Sequence, residues 1–189
     1  MRPQSILCLA IGLLAAAQPA AGFAAEDLLV EVERRGDGVE VRARAVVSSP
    51  VALIWQVLTD YERLPRFIPG IAKSAVRERQ GNRVLLEQSG EARLLLFSFP
   101  IEVTLEVIER PAQWISSRAV SGNVRRMIGR YELNADAGRP GVLLRYYGLI
   151  EPDFDLPQFI AAAALRIMAE EQFVAMVAEI ERRAAAAPK

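Results

Sequence analysis

Between Leu94 and Arg110 the chain alternates almost without interruption. Leu95, Phe97, Phe99, Ile101, Val103, Leu105 and Val107 fall on one side, and Ser98, Glu102, Thr104 and Glu106 on the other. A period of two is the mark of a strand with one face on a core and one toward water. Pro100 interrupts it and implies a bend, a bulge or an edge position. Weaker forms of the same alternation occupy 28–35, 39–47, 71–79, 83–93, 114–120, 125–133 and 142–151. Asp37-Gly38, Gly81-Asn82, Ser121-Gly122-Asn123 and the 136–141 stretch are turn signals between them. The first two strands read as a hairpin, followed by six more.

Two stretches break the pattern. After Ser49, expected as a cap, Pro50 is expected at the first helical position, with Val51, Ile54, Trp55 and Leu58 on its buried face. Asp60 is then placed to cap a second short helix through Tyr61, Leu64 and Phe67. The other break is the long segment from Pro157 to Arg183, which has no internal Gly or Pro. Leu165, Ala169, Phe173, Met176 and Ile180 recur at steps of three and four, Val177 widens the stripe, and the helix they predict reaches roughly 40 Å. Ile160, Ala164, Ile167, Met168 and Val174 lie on its other side, either covered by loops or exposed to a protein or membrane surface. Many strands and one long helix predict an α+β fold in which a curved antiparallel sheet wraps the helix. The helix is too narrow to fill the curve, so a pocket of several hundred Å³ is expected.

The composition, 52% hydrophobic and 24% charged in 189 residues, suits one domain with a sizeable core. Lys and Arg total 23 against 23 Asp and Glu, so no charge bias points to nucleic acid. There is no histidine, and the one cysteine is Cys8. That removes Ser-His-Asp and Cys-His nucleophile systems and His-ligated zinc. No catalytic constellation, metal site or cofactor is expected.

The first 24 residues read as a secretory signal peptide. Arg2 provides the positive start, 6–17 is a short apolar run, and Gly22-Phe23-Ala24 places small residues for cleavage after Ala24. The run is shorter than the about 20 residues of a membrane span. The expected organisation is a leader over 1–24 and a single domain over 25–189, in the bacterial periplasm or secreted. No disulfide is needed there, because about 165 residues can bury an adequate core.

The run Ser49-Pro50 to Trp55, Asp60-Tyr61, Leu64-Pro65, Phe67 and Pro69-Gly70, with Ser121-Gly122 before a strand that contains Gly129, resembles the START/Bet v 1-like (SRPBCC) superfamily. Within it the chain is most similar to the polyketide cyclase/dehydrase and coenzyme Q-binding branch. The resemblance spans 39–183 and implies a helix-grip fold with an apolar cavity between sheet and helix. It implies a binding or carrier protein for a hydrophobic small molecule such as a lipid, an isoprenoid quinone or a polyketide. Its enzymatic minority implies a cyclase or dehydratase as the alternative, which would need an acid/base pair in the cavity. A buried Glu or Tyr bonded to a second polar group would favour that alternative. An interaction module using the second face of the last helix is a third reading. Two departures from the branch are the leader with its extra N-terminal strand and the lack of histidine.

The inward faces nominate the ligand-binding residues: Phe67, Leu86, Gln88, Phe97, Phe99, Ile101, Met127, Tyr131, Tyr146, Leu165, Ala169, Phe173 and Met176. Gln88 shares a face with Val84 and Leu86, so if that face is inward its amide needs a partner. Of Tyr146 and Tyr147 only one can point inward. Arg118, Arg130 and Arg145 read as outward and solvated. Phe67, Ile68 and Phe159 are candidates for a hydrophobic gate at the mouth.

Overall fold

A computed structural model describes residues 26–94, 97–135, 141–153 and 158–187. The expected leader, 1–24, lies outside them. Eight strands form a single antiparallel sheet: β1 (Glu26–Arg35), β2 (Gly38–Val47), β3 (Ile71–Gln80), β4 (Arg83–Leu94), β5 (Phe97–Arg110), β6 (Trp114–Gly122), β7 (Val124–Ala135) and β8 (Val142–Pro152). Their order across the sheet is β1-β2-β8-β7-β6-β5-β4-β3. Helix α1 (Val51–Leu58) and a 3₁₀ turn (Tyr61–Arg66) link β2 to the far edge strand β3, and the long α2 (Gln158–Ala186) closes the chain. This is the helix-grip architecture, a curved sheet around a C-terminal helix.

The periodicities explain the packing. On β2, Val41, Ala43 and Ala45 are buried while Arg42 and Arg44 are exposed. On α2, Leu165, Phe173, Met176, Val177 and Ile180 are buried, as their spacing requires. Of the helix's second side, Ala164 and Met168 are buried as well, whereas Ile167 and Val174 remain 41% and 42% exposed. Two apolar clusters result. The larger joins Ile54, Val57, Leu86, Leu105 and Leu144 to Phe173, Met176 and Ile180. The smaller gathers Val39, Val41, Ile150, Leu165 and Met168 around the N-terminal half of α2.

Local details depart from the sequence reading. Pro50 is the N-cap and not the first helical residue, and neither Pro50 nor Asp60 caps through its side chain. Asp60 instead accepts from Arg183 of α2 at 2.8 Å, because an ion pair to a neighbouring element competes with local capping. The segment after Asp60 winds as a 3₁₀ turn with Pro65 inside it. Pro100 fits its edge reading: β6 pairs with β5 only from Val103 onward, so the missing N–H faces no ladder partner on that side. Asn123 covers the gap, donating to the Pro100 carbonyl at 2.8 Å and accepting from the Glu102 amide at 2.9 Å.

Gly90 is where the α1–β3 connection touches the sheet. A Cβ there would lie 1.8 Å from the Gly70 carbonyl oxygen, which accepts from the Glu91 amide at 2.9 Å. Gly70 itself has φ +79°, a conformation that favours glycine. This contact fixes the connection against β4, and with it one wall of the interior space.

Candidate functional site

Between the sheet and α2 lies a cavity of about 160 Å³. That is smaller than the several hundred Å³ expected, because the α1–β3 connection contributes side chains of its own. Tyr61, Leu64 and Ile68 line the cavity with Ile71, and the first three are buried. None of the four was among the nominated ligand-binding residues. The spacing of three and four at Tyr61, Leu64 and Ile68 was the signal, since it is a short helical stripe of its own.

Eight of the thirteen nominated residues line this space: Leu86, Gln88, Met127, Tyr131, Tyr146, Ala169, Phe173 and Met176. Phe67, Phe99, Ile101 and Leu165 do not come together there. Phe99 and Ile101 share the strand face of the cavity-lining Leu105 and Val107 but lie nearer the start of β5, and Ile101 packs between the two clusters. Alternation fixes a face, not a position along it. Leu165 is 2% exposed and belongs to the smaller cluster, one turn before the helical residues that line the cavity. The Phe67 ring lies under the Arg183 guanidinium, 5.5 Å from its centroid, so it braces the 3₁₀ turn against α2. As to the gate, Ile68 lines the cavity whereas Phe67 does not. The side chains of Phe97 and Phe159 lie outside the described residues.

No cavity-lining residue carries a charge. Gln88 Nε2 donates to Ser74 Oγ at 3.2 Å, and Gln172 Nε2 to the Pro69 carbonyl at 3.0 Å. Tyr61 Oη donates to the buried Glu109 at 2.8 Å, and Glu109 in turn accepts from Arg79 at 2.9 Å. Burial, then the bond to Glu109, raises the Tyr61 pKa well above the usual phenol value, so it stays protonated. Sequence reasoning gave no sign of this clamp, whose partners are 48 positions apart.

Tyr131 and Tyr146 are cross-strand partners on β7 and β8, with ring centroids 4.7 Å apart and planes tilted by 42°. Tyr146 is the inward member of its pair, and Tyr147 is 37% exposed. Burial pushes the Tyr146 phenol up to about 12 and raises Tyr131 further, helped by its neighbour. Two positions along these strands, on the same face, Gly129 pairs with Gly148. A Cβ on Gly148 would sit 2.6 Å from the Tyr146 hydroxyl, so the ring lies over space that only glycine leaves. The outward arginines are as expected: Arg118 pairs with the buried Glu106, and Arg130 stacks over Trp114 at 4.4 Å.

An open groove adjoins the cavity. Ile71 and Met168 line both, and Gly70, Ser89, Glu91 and Ile167 border the groove. Among the described residues there is no metal-binding group of His, Cys, Asp and Glu, and no helix long and apolar enough to cross a membrane.

A curved antiparallel sheet gripping a C-terminal helix, with an uncharged apolar cavity between them, defines a hydrophobic ligand-binding fold of the START/Bet v 1 (SRPBCC) type. The chain belongs to the family described as polyketide cyclase/dehydrase and lipid transport, whose profile matches residues 47–177. It is similar in structure to a protein of Thermus thermophilus, with 16% identity and a TM-score of 0.64 over 79% of this chain and 99% of that one. The ZhuI aromatase/cyclase of a Streptomyces species matches with 20% identity and a TM-score of 0.61, over 77% and 95%. A STAR-related lipid transfer protein fragment of Xanthomonas axonopodis matches with 16% identity and a TM-score of 0.63, over 87% and 96%. These likenesses show the fold. No curated protein sequence matches the chain.

Proposed function

We propose that this protein is an exported, periplasmic binding or carrier protein for a hydrophobic small molecule, a lipid, an isoprenoid quinone or a polyketide-like compound. The observation that carries the reading is the uncharged cavity between β4–β8 and α2, together with the family's association with lipid transport. An apolar cavity of about 150 Å³ accommodates a benzene-sized guest. One of about 160 Å³ therefore suits a single ring or the end of a chain. The remainder of a longer ligand would leave past Ile71 and Met168 into the open groove. Export rests on the leader-like order of the first 24 residues. Organic extraction of protein purified from a bacterial periplasm, followed by mass spectrometry, should yield a stoichiometric apolar compound and an N-terminus at Ala25. Protein that retains no such compound and binds no quinone, fatty acid or sterol would count against the carrier role.

A second reading, a cyclase or dehydratase, draws on one observation: the Tyr61–Glu109 pair puts a hydrogen-bonded phenol on the cavity wall. Glu109 is already engaged by Arg79 and the phenol's proton is committed to Glu109, so the pair is better suited to accepting a hydrogen bond from a ligand hydroxyl than to removing a proton. Turnover of a polyketone substrate that is lost in Tyr61→Phe would favour the enzyme over the carrier.

A further inference from the structure

The β6–β8 wall of the cavity carries two phenols and a serine hydroxyl. Tyr131 and Tyr146 lie side by side on it, both facing the cavity, and no hydrogen bond joins either hydroxyl to another described residue. Ser117, on β6, also lines the cavity without a partner for its hydroxyl. Its Oγ and the Tyr146 hydroxyl lie 2.9 and 3.4 Å from where a Gly129 Cβ would stand, so both oxygens border the same small space. Polar groups held inside an apolar interior are costly unless something bonds to them. Tyr61 shows what a satisfied phenol looks like in this wall, because its proton is committed to Glu109.

We propose that the Tyr131–Tyr146–Ser117 wall of the cavity is a subsite for one neutral carbonyl oxygen of the ligand, a ring ketone or quinone oxygen. This rests on the cavity being a ligand site and adds what the ligand must carry. Both phenols are fixed in their protonated form by burial, so both can donate. A carbonyl oxygen has two lone pairs and accepts from two donors at once. A carboxylate is disfavoured, because no cationic side chain lines the cavity to offset its desolvation. The subsite therefore selects ketones and quinones over fatty acids.

The test is binding of three single-ring probes of similar shape, followed by NMR titration: acetophenone, ethylbenzene and benzoate. In the wild-type protein acetophenone should bind about five- to tenfold more tightly than ethylbenzene, the worth of a hydrogen bond or so, and benzoate should not displace it. Tyr131→Phe with Tyr146→Phe should erase that preference and leave ethylbenzene binding unchanged, which also reports an intact fold. Equal binding of acetophenone and ethylbenzene to the wild type, or a preference that survives in the double variant, overturns the subsite while the cavity stands as an apolar ligand site. Benzoate binding as tightly as acetophenone overturns the neutral-oxygen selectivity. Failure of all three probes to bind overturns the ligand-site reading itself, and the subsite with it.

Discussion

Tyr61 and Glu109 meet at 2.8 Å although they come from opposite parts of the fold, the turn after α1 and the far end of β5. The bond ties the helical connection from β2 to the edge strand β3 to the sheet itself, beside the Arg79 ion pair that neutralises the carboxylate. A buried carboxylate that loses a donor keeps its desolvation cost and loses its compensation. Tyr61→Phe is therefore expected to lower unfolding free energy by about 1.5–3 kcal/mol, the range for hydrogen bonds to charged groups. Urea unfolding followed by tryptophan fluorescence measures it, and a change under about 0.5 kcal/mol, the scatter typical of surface substitutions, would show that the clamp is slack.

A second link joins the same turn to the end of α2. Glu179 accepts from Arg182 at 2.7 and 2.8 Å and from Arg183 at 2.7 Å, and Arg183 reaches Asp60 at 2.8 Å. Hydrogen bonding to Arg182 is the largest influence on the Glu179 carboxyl and, with Arg183, outweighs partial burial, pulling its pKa from 4.5 to about 2. The folded value is the lower one, so the folded state favours the carboxylate. Its contribution is complete above pH 4.5 and fades as pH falls toward 2. Because the Arg182 side chain is 66% exposed, solvent screening keeps the contribution to about 1 kcal/mol or less. Glu179→Gln should be less stable than the parent at pH 7 and equal to it near pH 2, in urea midpoints taken across that range. A difference that persists unchanged at pH 2 would mean that packing, not charge, is what the substitution disturbs.

How far these features were legible beforehand follows from what each pattern encodes. Period-two runs specify which residues share a strand face, so Leu86, Met127 and Tyr131 were assigned inward and are inward, and Gln88 and Tyr146, nominated while their facing was open, line the cavity too. The runs carry no information on how far along the strand the helix crosses, and Ile101, on the face of Leu105 and Val107, ends beyond the cavity. The α2 stripe shows the same division: its phase is right at Leu165 and at Phe173, but only Phe173 reaches the cavity. Glu106 and Glu109 were invisible as buried charges, since burial depends on Arg83, Arg118, Arg79 and Tyr61 arriving from other elements. The cavity's volume was overestimated for a related reason. A connection read as a lid turns out to fill space with Tyr61, Leu64 and Ile68.

Gly90 offers a test of that connection. A methyl group at 1.8 Å from the Gly70 oxygen meets backbone, which cannot rotate away as a side chain tip would. Gly90→Ala should separate the 61–71 segment from β4 and destabilise the protein by more than about 3 kcal/mol, among the larger single-site effects. Thermal unfolding gives the stability change. Hydrogen exchange should show the loss of protection concentrated at the Glu91 amide, which bonds the Gly70 carbonyl. A near-neutral Gly90→Ala would mean that the two chains can part without cost.

Filling the cavity separates packing from binding. Ala169 lies on α2 between Leu165 and Phe173, half-buried, and lines the space. If the empty volume were only a packing imperfection, a larger apolar side chain there would be a gain with no loss. Ala169→Leu adds three carbons to a cavity of about 160 Å³, so it fits without forcing the sheet apart. The stability should rise by about 0.5–2 kcal/mol, as cavity-filling substitutions commonly do. The same side chain takes the volume a ring would need, so ethylbenzene and acetophenone binding should fall at least tenfold. Stability is read by urea unfolding and affinity by NMR titration on the same sample. Stabilisation with undiminished probe binding would place the ligand elsewhere on the protein, and destabilisation would mean that the cavity walls are too rigid to admit even an aliphatic guest.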